Sequence, residues 1–314
     1  MDWFHDYEAE LRQVFDECKL TISQFPEPLR TQGAVYLQQF DVFQTTSHKN
    51  YICYLLPYWL RESCRLPAEE CRQMAKGNIF IMLYFFIQDD IMDNPGGSAA
   101  SRLPLANLLY LEFLNVYHGY FPADSPFWTY FNRYITEWAE SVSNESSHDY
   151  FLSEQHMLAR KASPLKLSST AALLLSSQIS LVPLLENLLE HVLLTLQMLD
   201  DYEDWQEDLE QGSYNGLLAL AESQLSDRKV RITTEEVRHF IFNAGGMKQY
   251  LRIAQDNKDR LPALDLPIPH LLAFHNDLVA NLKHISETIE YDKQLLQNGG
   301  LSYWLSKHMT ESDK

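Results

Sequence analysis

The apolar residues of the chain recur at helical spacing almost from end to end. No segment shows the strict alternation of apolar and polar residues, bounded by turn residues, that a strand requires. No linker, repeat or shift in composition divides residues 1–314, so we expect an all-α protein, a single-domain helical bundle around a central space. The pattern predicts helices over residues 2–19, 28–44, 49–62, 67–93, 103–117, 126–142, 150–161, 167–178, 183–210, 214–225, 234–242, 247–260 and 267–297.

Two of the predicted helices are apolar on nearly every face. One reads IFIMLYFFI over residues 79–87, and the other is mostly leucine over residues 184–199. Helices without a polar face lie in the middle of a bundle. The stretch 171–199 is long enough to suggest a membrane span, but it contains Pro183 and Glu186, and charged residues are costly in lipid. We therefore interpret it as a buried core helix that is broken near Pro183, and we expect no stable membrane insertion.

Both apolar helices end in a cluster of acidic residues. The first cluster contains Asp89, Asp90 and Asp93, and the second contains Gln197, Asp200, Asp201, Asp204 and Asp208. Spacings of three and four residues place these side chains on shared helix faces. Helix breakers follow each cluster, so the carboxylates lie at the negative end of a helix dipole, which disfavours each of them by about 0.3–1 kcal/mol. A Mg²⁺ ion would compensate for this charge; the alternative is a solvated acidic helix end.

The composition limits the partners of the chain. With 25 Lys and Arg against 43 Asp and Glu, its net charge is -18 at pH 7. Nucleic acids and anionic membrane surfaces bind to basic surfaces, so we expect neither as a partner, and a phosphate ligand would need a metal ion between itself and the protein. The four cysteines form no CxxC pair, and the first residues show no signal peptide. We therefore expect free thiols and a cytoplasmic protein.

The segments FIQDDIMDN and LQMLDDYEDWQED resemble the two aspartate-rich motifs of the class I isoprenoid synthase superfamily. The second segment is similar to the Q-x-x-D-D-x-x-D motif of the trans-prenyl diphosphate synthases, with Gln197 at its first position. Lys161 stands where that branch has a Lys-Thr pair that contacts diphosphate. The resemblance covers roughly residues 45–265.

This resemblance implies the isoprenoid synthase fold with a central active-site cavity, a homodimer, and three Mg²⁺ ions that bind the diphosphate of an allylic prenyl substrate. The aspartates of both clusters, including Asp208, would hold these ions, so that the C–O bond ionises to an allylic cation. Tyr84, Phe85 and Phe86 would line the hydrocarbon pocket, because Phe85 lies one helical turn before Asp89. Ordinary core packing is the alternative for each of these rings.

Two departures from the trans-prenyl diphosphate synthases bear on the reaction. Members that elongate chains bind a second diphosphate through a Gly-Gly-Lys-Arg segment and an Arg-Arg pair, whereas here only Lys49 and Arg102 stand in comparable regions. Because guanidinium groups supply the charge and geometry that such a site needs, we predict a terpene synthase. It would cyclise or deprotonate the cation from geranyl, farnesyl or geranylgeranyl diphosphate. The alternative is a prenyltransferase that joins the allylic group to isopentenyl diphosphate or another acceptor, and a third hypothesis is a non-catalytic partner subunit.

Overall fold

A computed structural model describes residues 2–93, 98–145, 148–224, 232–263, 265–297 and 300. Within these ranges the chain forms α-helices and short 3₁₀ turns and contains no strand, which confirms the predicted all-α class. The α-helices are α1 (Asp2–His5), α2 (Glu8–Ile22), α3 (Leu29–Gln38), α4 (Tyr51–Trp59), α5 (Arg61–Cys64), α6 (Ala68–Asp93), α7 (Leu103–His118), α8 (Phe127–Asn144), α9 (Tyr150–Ser153), α10 (Gln155–Arg160), α11 (Lys166–Leu175), α12 (Val182–Gln211), α13 (Gly216–Ser223), α14 (Thr234–Phe242), α15 (Gly246–Asp259) and α16 (Pro269–Gln297). The 3₁₀ turns are Ser98–Arg102, Ser163–Leu165 and Ile179–Leu181.

Some predicted helices are shorter than the periodicity suggests, for local reasons. The helix predicted over 28–44 ends at Gln38, and the buried Asp41 accepts a hydrogen bond from the backbone N–H of Phe43 at 3.1 Å. Such a side-chain bond competes with the helical hydrogen bonds of the backbone. The helix predicted over 150–161 is divided into α9 and α10, because Glu154 between them has an extended φ of -141°.

The break predicted near Pro183 is confirmed. Helix α11 ends at Leu175 and α12 begins at Val182, which places the proline in the first turn of α12, where its missing N–H costs nothing. Among the described residues, Ile179–Gln211 is the one stretch whose length and composition would allow a membrane span. Within it, 44% of the most apolar 18-residue segment is buried inside the protein. A single such helix is weak evidence for a span, since core helices share these properties.

The helices pack into two compact units. The first consists of Met1–Glu140, Arg160–Leu189 and Ala263–Ala273. Its centre is α6, which packs against α2, α4 and α7. The fully buried residues of the apolar stretch of α6 are Ile79, Phe80, Leu83 and Ile87. The helix that the sequence places in the middle of a bundle is thus the core of this unit.

The second unit consists of Ser141–Ala159, Glu190–Pro262 and the chain from Phe274 onward. In it, α13 packs against α9, α14 and α15. A buried polar network joins α12, α15 and α16: Asn257 Nδ2 donates to the carbonyl oxygen of His191 at 2.7 Å and to Thr195 Oγ1 at 2.8 Å, and Thr195 Oγ1 lies 2.9 Å from His275 Nε2. Burial lowers the pKa of His275 to about 4, and the charges of His191 and Lys258 act in the same direction. The single domain expected over residues 1–314 stays a prediction.

Candidate active site

The first aspartate cluster ends α6, the central helix of the first unit. The last turn of α6 contains no basic residue, so nothing in the helix itself balances carboxylates at its negative end. The balancing charge comes from the 3₁₀ turn that follows, where Arg102 Nη1 donates to Asp90 Oδ2 at 2.7 Å. The same guanidinium lies 5.4 Å from the centre of the Tyr36 ring. Asp89 is exposed, and the side chain of Asp93 lies outside the described residues.

The carboxylates of the second cluster, on α12, differ in their surroundings. Asp201 is buried, with 4% of its surface exposed. Its Oδ1 accepts a hydrogen bond from Gln197 Nε2 at 2.9 Å, and its Oδ2 accepts one from the backbone N–H of Gly216 at 2.8 Å. Asp200 and Asp204 are exposed and lie one turn apart. The cluster thus contains one buried carboxylate with both oxygens engaged, next to two that face solvent.

Asn215 ties the end of this cluster to the start of α13. Its side-chain oxygen accepts hydrogen bonds from two backbone N–H groups in the first turn of α13 and so caps that helix. Its side-chain nitrogen donates to the carbonyl oxygen of Asp201 at 2.7 Å and to Asp208 Oδ2 at 2.8 Å. Asp208, which the sequence predicts as a metal ligand, is therefore held by the cap of the next helix.

A cavity of about 100 Å³, partly open to solvent, lies along α6 in the first unit. Three of the predicted substrate-binding residues line it, namely Phe85, Phe86 and Lys161. The ring of Phe85 lies 4.4 Å from that of Trp138, and the ring of Phe86 stacks on that of Phe40 at 5.1 Å. The cavity therefore has an aromatic wall and an ammonium group in its lining.

The lining of the cavity does not match the predicted substrate-binding residues in every position. Among the described residues, Tyr84 and Lys49 fall outside the lining of the cavity. The ring of Tyr84 packs 4.9 Å from that of Tyr110 on α7, as ordinary core packing predicts, and Lys49 is exposed. Two polar residues that no sequence motif singles out, Asn50 and Asn78, do line the cavity. The sequence feature that could have indicated Asn78 is its position, because this amide side chain directly precedes the apolar run of α6.

The turn that carries Lys161 is anchored by a buried ion pair. Lys166, 1% exposed, donates to Glu137 Oε2 at 2.8 Å, and Ser163 Oγ donates to the same oxygen at 2.8 Å. Burial acts to raise the pKa of Glu137, but the hydrogen bond and the charge of Lys166 outweigh it and lower that pKa. The sequence signal for this anchor is the group of basic residues between positions 160 and 166.

The donor set of both clusters fits Mg²⁺. Asp90 forms an ion pair with the guanidinium of Arg102, and Asp89, Asp200 and Asp204 are exposed residues. In the part of the chain that the structure describes, no three His, Cys, Asp or Glu side chains are gathered at one point. Mg²⁺ does not need such a set, because it binds through one or two carboxylates while waters and substrate phosphates complete its shell.

Comparison with known proteins identifies the fold. No protein-family model and no curated protein matches the chain. The structure is similar to that of a geranylgeranyl pyrophosphate synthetase from the archaeon Geoglobus acetivorans, with a TM-score of 0.61 and 17% identity over 89% of this chain and 99% of that one. It is also similar to a geranylgeranyl pyrophosphate synthase from Lactobacillus brevis ATCC 367 in complex with citrate, with a TM-score of 0.63 and 15% identity over 88% of this chain and 96% of that one. The chain therefore has the isoprenoid synthase fold, and the resemblance drawn from its aspartate motifs is confirmed at the level of the fold.

Proposed function

We propose that the chain is a Mg²⁺-dependent prenyltransferase of the trans-prenyl diphosphate synthase kind. It ionises an allylic prenyl diphosphate and joins the prenyl group to isopentenyl diphosphate or another acceptor. The observation that carries the proposal is the cavity along α6, whose lining includes Phe85, Phe86 and Lys161. Because the two rings lie one helical turn before Asp89 and Asp90, an apolar chain in this cavity would have its diphosphate end near carboxylates and an ammonium group.

The likeness to two geranylgeranyl pyrophosphate synthases supports transfer over the cyclisation predicted from the sequence. The folds match over nearly the whole length of those chains. At 15–17% identity this likeness concerns the backbone, so the substrate and product lengths of those enzymes do not carry over.

Each set of residues has a role in this reaction. When bound, Mg²⁺ supplies positive charge that stabilises the diphosphate leaving group. The residues that would hold such ions are Asp89, Asp90 and Asp93 in the first unit, and Asp200 and Asp204 in the second. Lys161 would bind diphosphate oxygens as a compact positive charge. Phe85 and Phe86 would exclude water and stabilise an allylic cation by about 0.5–2 kcal/mol each through their ring faces.

A second candidate is the terpene synthase predicted from the sequence, which needs no second diphosphate. The observation that favours it is the position of Arg102, whose guanidinium binds Asp90. Lys49 is exposed outside the cavity lining, and the chain has no Arg-Arg pair after the first cluster. A site with so few cationic groups would hold a second diphosphate weakly.

The experiment is a substrate panel with product mass analysis. The purified chain is incubated with Mg²⁺ and dimethylallyl, geranyl or farnesyl diphosphate, each with and without isopentenyl diphosphate. We expect longer prenyl diphosphates only when isopentenyl diphosphate is present, and no turnover when Mg²⁺ is removed by a chelator. Hydrocarbons or alcohols formed from the allylic substrate alone would support the terpene synthase instead.

Matched variants separate catalysis from a contaminating activity. Asp200→Asn and Asp204→Asn should abolish turnover, whereas Glu203→Gln removes an exposed acid from the same helix end and should retain it. Equal activity in all three variants would contradict the role of the second cluster. Absence of turnover with every substrate would favour the non-catalytic subunit. Light scattering of the purified chain tests the homodimer, which stays a prediction, as does the cytoplasmic location.

A further inference from the structure

The turn over residues 161–166 forms one wall of the cavity along α6, and we call it the wall turn. Four of its residues line the cavity, namely Lys161, Ala162, Pro164 and Leu165. The other two, Ser163 and Lys166, contact Glu137 on α8 and are buried, at 0% and 1% exposed. The wall turn therefore lines the cavity with one side, while a single carboxylate binds its other side.

The geometry of the wall turn explains why one carboxylate oxygen accepts both hydrogen bonds. Ser163–Leu165 is a 3₁₀ turn, and with three residues per turn, residues 163 and 166 lie on the same side. Ser163 Oγ and Lys166 Nζ both donate to Glu137 Oε2 at 2.8 Å. The Lys166 ammonium also lies 5.0 Å from the centre of the Tyr134 ring, which precedes Glu137 by one turn of α8. Helix α8 thus holds the wall turn at two positions.

Stability alone does not account for a buried ion pair at this place. An ammonium and a carboxylate lose much of their hydration on burial, and an apolar pair of similar size is often as stable or more so. An apolar pair packs in several arrangements, whereas hydrogen bonds to a charged oxygen have a narrow range of distances and directions. The pair of Glu137 and Lys166 therefore differs from an apolar pair chiefly in how closely it defines the position of the wall turn.

We propose that Glu137 is a positioning residue that holds the wall turn so that Lys161 binds the diphosphate end of the ligand. This inference rests on the proposed function and adds to it a residue that acts on the ligand through another. Among the described residues, Glu137 falls outside the lining of the cavity, so its effect on binding passes through the wall turn. A turn that is ordered before the ligand arrives loses less conformational entropy on binding.

The test measures affinity with geranyl thiolodiphosphate, a probe that does not ionise readily. It is titrated calorimetrically, in the presence of Mg²⁺, into the unmutated chain and into the double variant Glu137→Met with Lys166→Met. This variant removes the ion pair without leaving a charge unpaired, so urea unfolding should show that most of the stability is retained. We expect the probe to bind about tenfold more weakly, because the loosened turn must be ordered on binding.

Two further double variants are matched controls. Glu137→Gln with Lys166→Met keeps an acceptor for the hydroxyl of Ser163 and should recover part of the lost affinity. Lys248→Met with Glu290→Met removes the same two charges from an ion pair of the second unit, and it should bind the probe like the unmutated chain.

A fourth comparison shows whether the ion pair acts through Lys161. Lys161→Met alone should weaken binding of the probe about tenfold, since it removes the ammonium group that binds diphosphate. Adding Glu137→Met and Lys166→Met should then reduce the affinity by less than about twofold, because the effects of coupled residues are not additive. If the two losses multiply instead, the pair shapes the cavity without acting through Lys161, and the inference is wrong.

The remaining outcomes separate this inference from the proposed function. If Glu137→Met with Lys166→Met folds and binds the probe like the unmutated chain, the inference is wrong while the proposed function stands. If the unmutated chain itself does not bind the probe, the proposed function fails.

Ser163→Ala covers the case in which the double variant does not fold. This change removes one of the two hydrogen bonds to Glu137 and leaves no charge unpaired. The probe should bind to it about threefold more weakly, and an unchanged affinity would overturn the inference.

Discussion

Replacement of Asp201 by Asn should destabilise the protein, because this carboxylate supports the fold around the second cluster. It accepts hydrogen bonds from Gln197 at 2.9 Å and from the N–H of Gly216 at 2.8 Å. A hydrogen bond to a charged group contributes about 1.5–3 kcal/mol, and a negative charge at the N-terminus of a helix such as α13 contributes about 0.3–1 kcal/mol. Asparagine keeps the shape but turns an NH₂ group toward one of the two donors. We therefore expect Asp201→Asn to lower the free energy of unfolding by about 2–4 kcal/mol.

Urea unfolding at pH 7, followed by circular dichroism without Mg²⁺, measures this effect in the absence of metal binding. Asp200→Asn and Asp204→Asn are matched controls, because they remove exposed carboxylates from the same helix. Each control should change the free energy of unfolding by no more than about 0.5 kcal/mol. Calorimetric titration with Mg²⁺ and a thiolodiphosphate should show the opposite order, with binding lost in the two controls and retained in folded Asp201→Asn.

Two results would refute this assignment. If Asp201→Asn unfolds at the same urea concentration as the unmutated chain, the contacts of Asp201 do not support the fold. If Asp201→Asn loses Mg²⁺ and diphosphate binding as completely as Asp200→Asn, then Asp201 is a metal ligand, as the motif implies.

Three further substitutions test other buried contacts. Glu137→Gln should lower the free energy of unfolding by about 3–5 kcal/mol because it removes the carboxylate charge that faces the buried Lys166 ammonium. Adding Lys166→Met should restore most of the loss in urea unfolding, and a double variant as unstable as the single one would contradict this. Gly216→Ala should cost about 1–3 kcal/mol in a thermal melt, since a Cβ there would lie 2.6 Å from the ring of Phe151; an unchanged melt would show that the ring moves aside freely. The pKa of His275 is lowered from 6.5 to about 4. At a pH between these two values, the unfolded chain therefore holds a proton on this residue that the folded chain does not. Stability should fall as the pH drops through that window, by about 1.4 kcal/mol per pH unit, and His275→Gln should flatten that slope; identical slopes would exclude His275 as its source.

The helices could be predicted from the sequence because helical spacing is a local property of the chain. The apolar run of α6 predicts a core helix, and its residues Ile79 and Leu83 are fully buried. Where the helix predicted over 28–44 extends too far, a side chain just beyond its observed end competes for the backbone. Asp41 binds the backbone N–H of Phe43 at 3.1 Å, and no periodicity of apolar residues reveals such a bond.

The site could be predicted only in part, because its chemistry depends on contacts between distant positions. The motifs single out the carboxylates as candidate ligands, and the helical turn before Asp89 contains Phe85, which lines the cavity. The difference between the surroundings of Asp201 and those of Asp200 depends on Gly216, which belongs to the next helix. The orientation of the Asn78 amide requires both Cys53 and the turn near Ser168 to face its nitrogen. Neither arrangement follows from spacing along one helix.

At both acidic helix ends, carboxylates lie at the negative end of a helix dipole, but different groups stabilise them. The difference affects what each helix end can bind. At the end of α6 the balancing group is a side chain, Arg102, and both it and Asp90 are half-exposed, at 39% and 46%. Exposed ion pairs contribute about 0–1 kcal/mol, so a divalent cation with higher charge density can displace Arg102 at little cost. At the end of α12 the balancing groups are the N–H of Gly216 and the amide of Asn215, which are fixed by the fold. That fixed support engages Asp201 and Asp208 in the packing of the helix end, whereas Asp200 and Asp204 stay exposed to solvent.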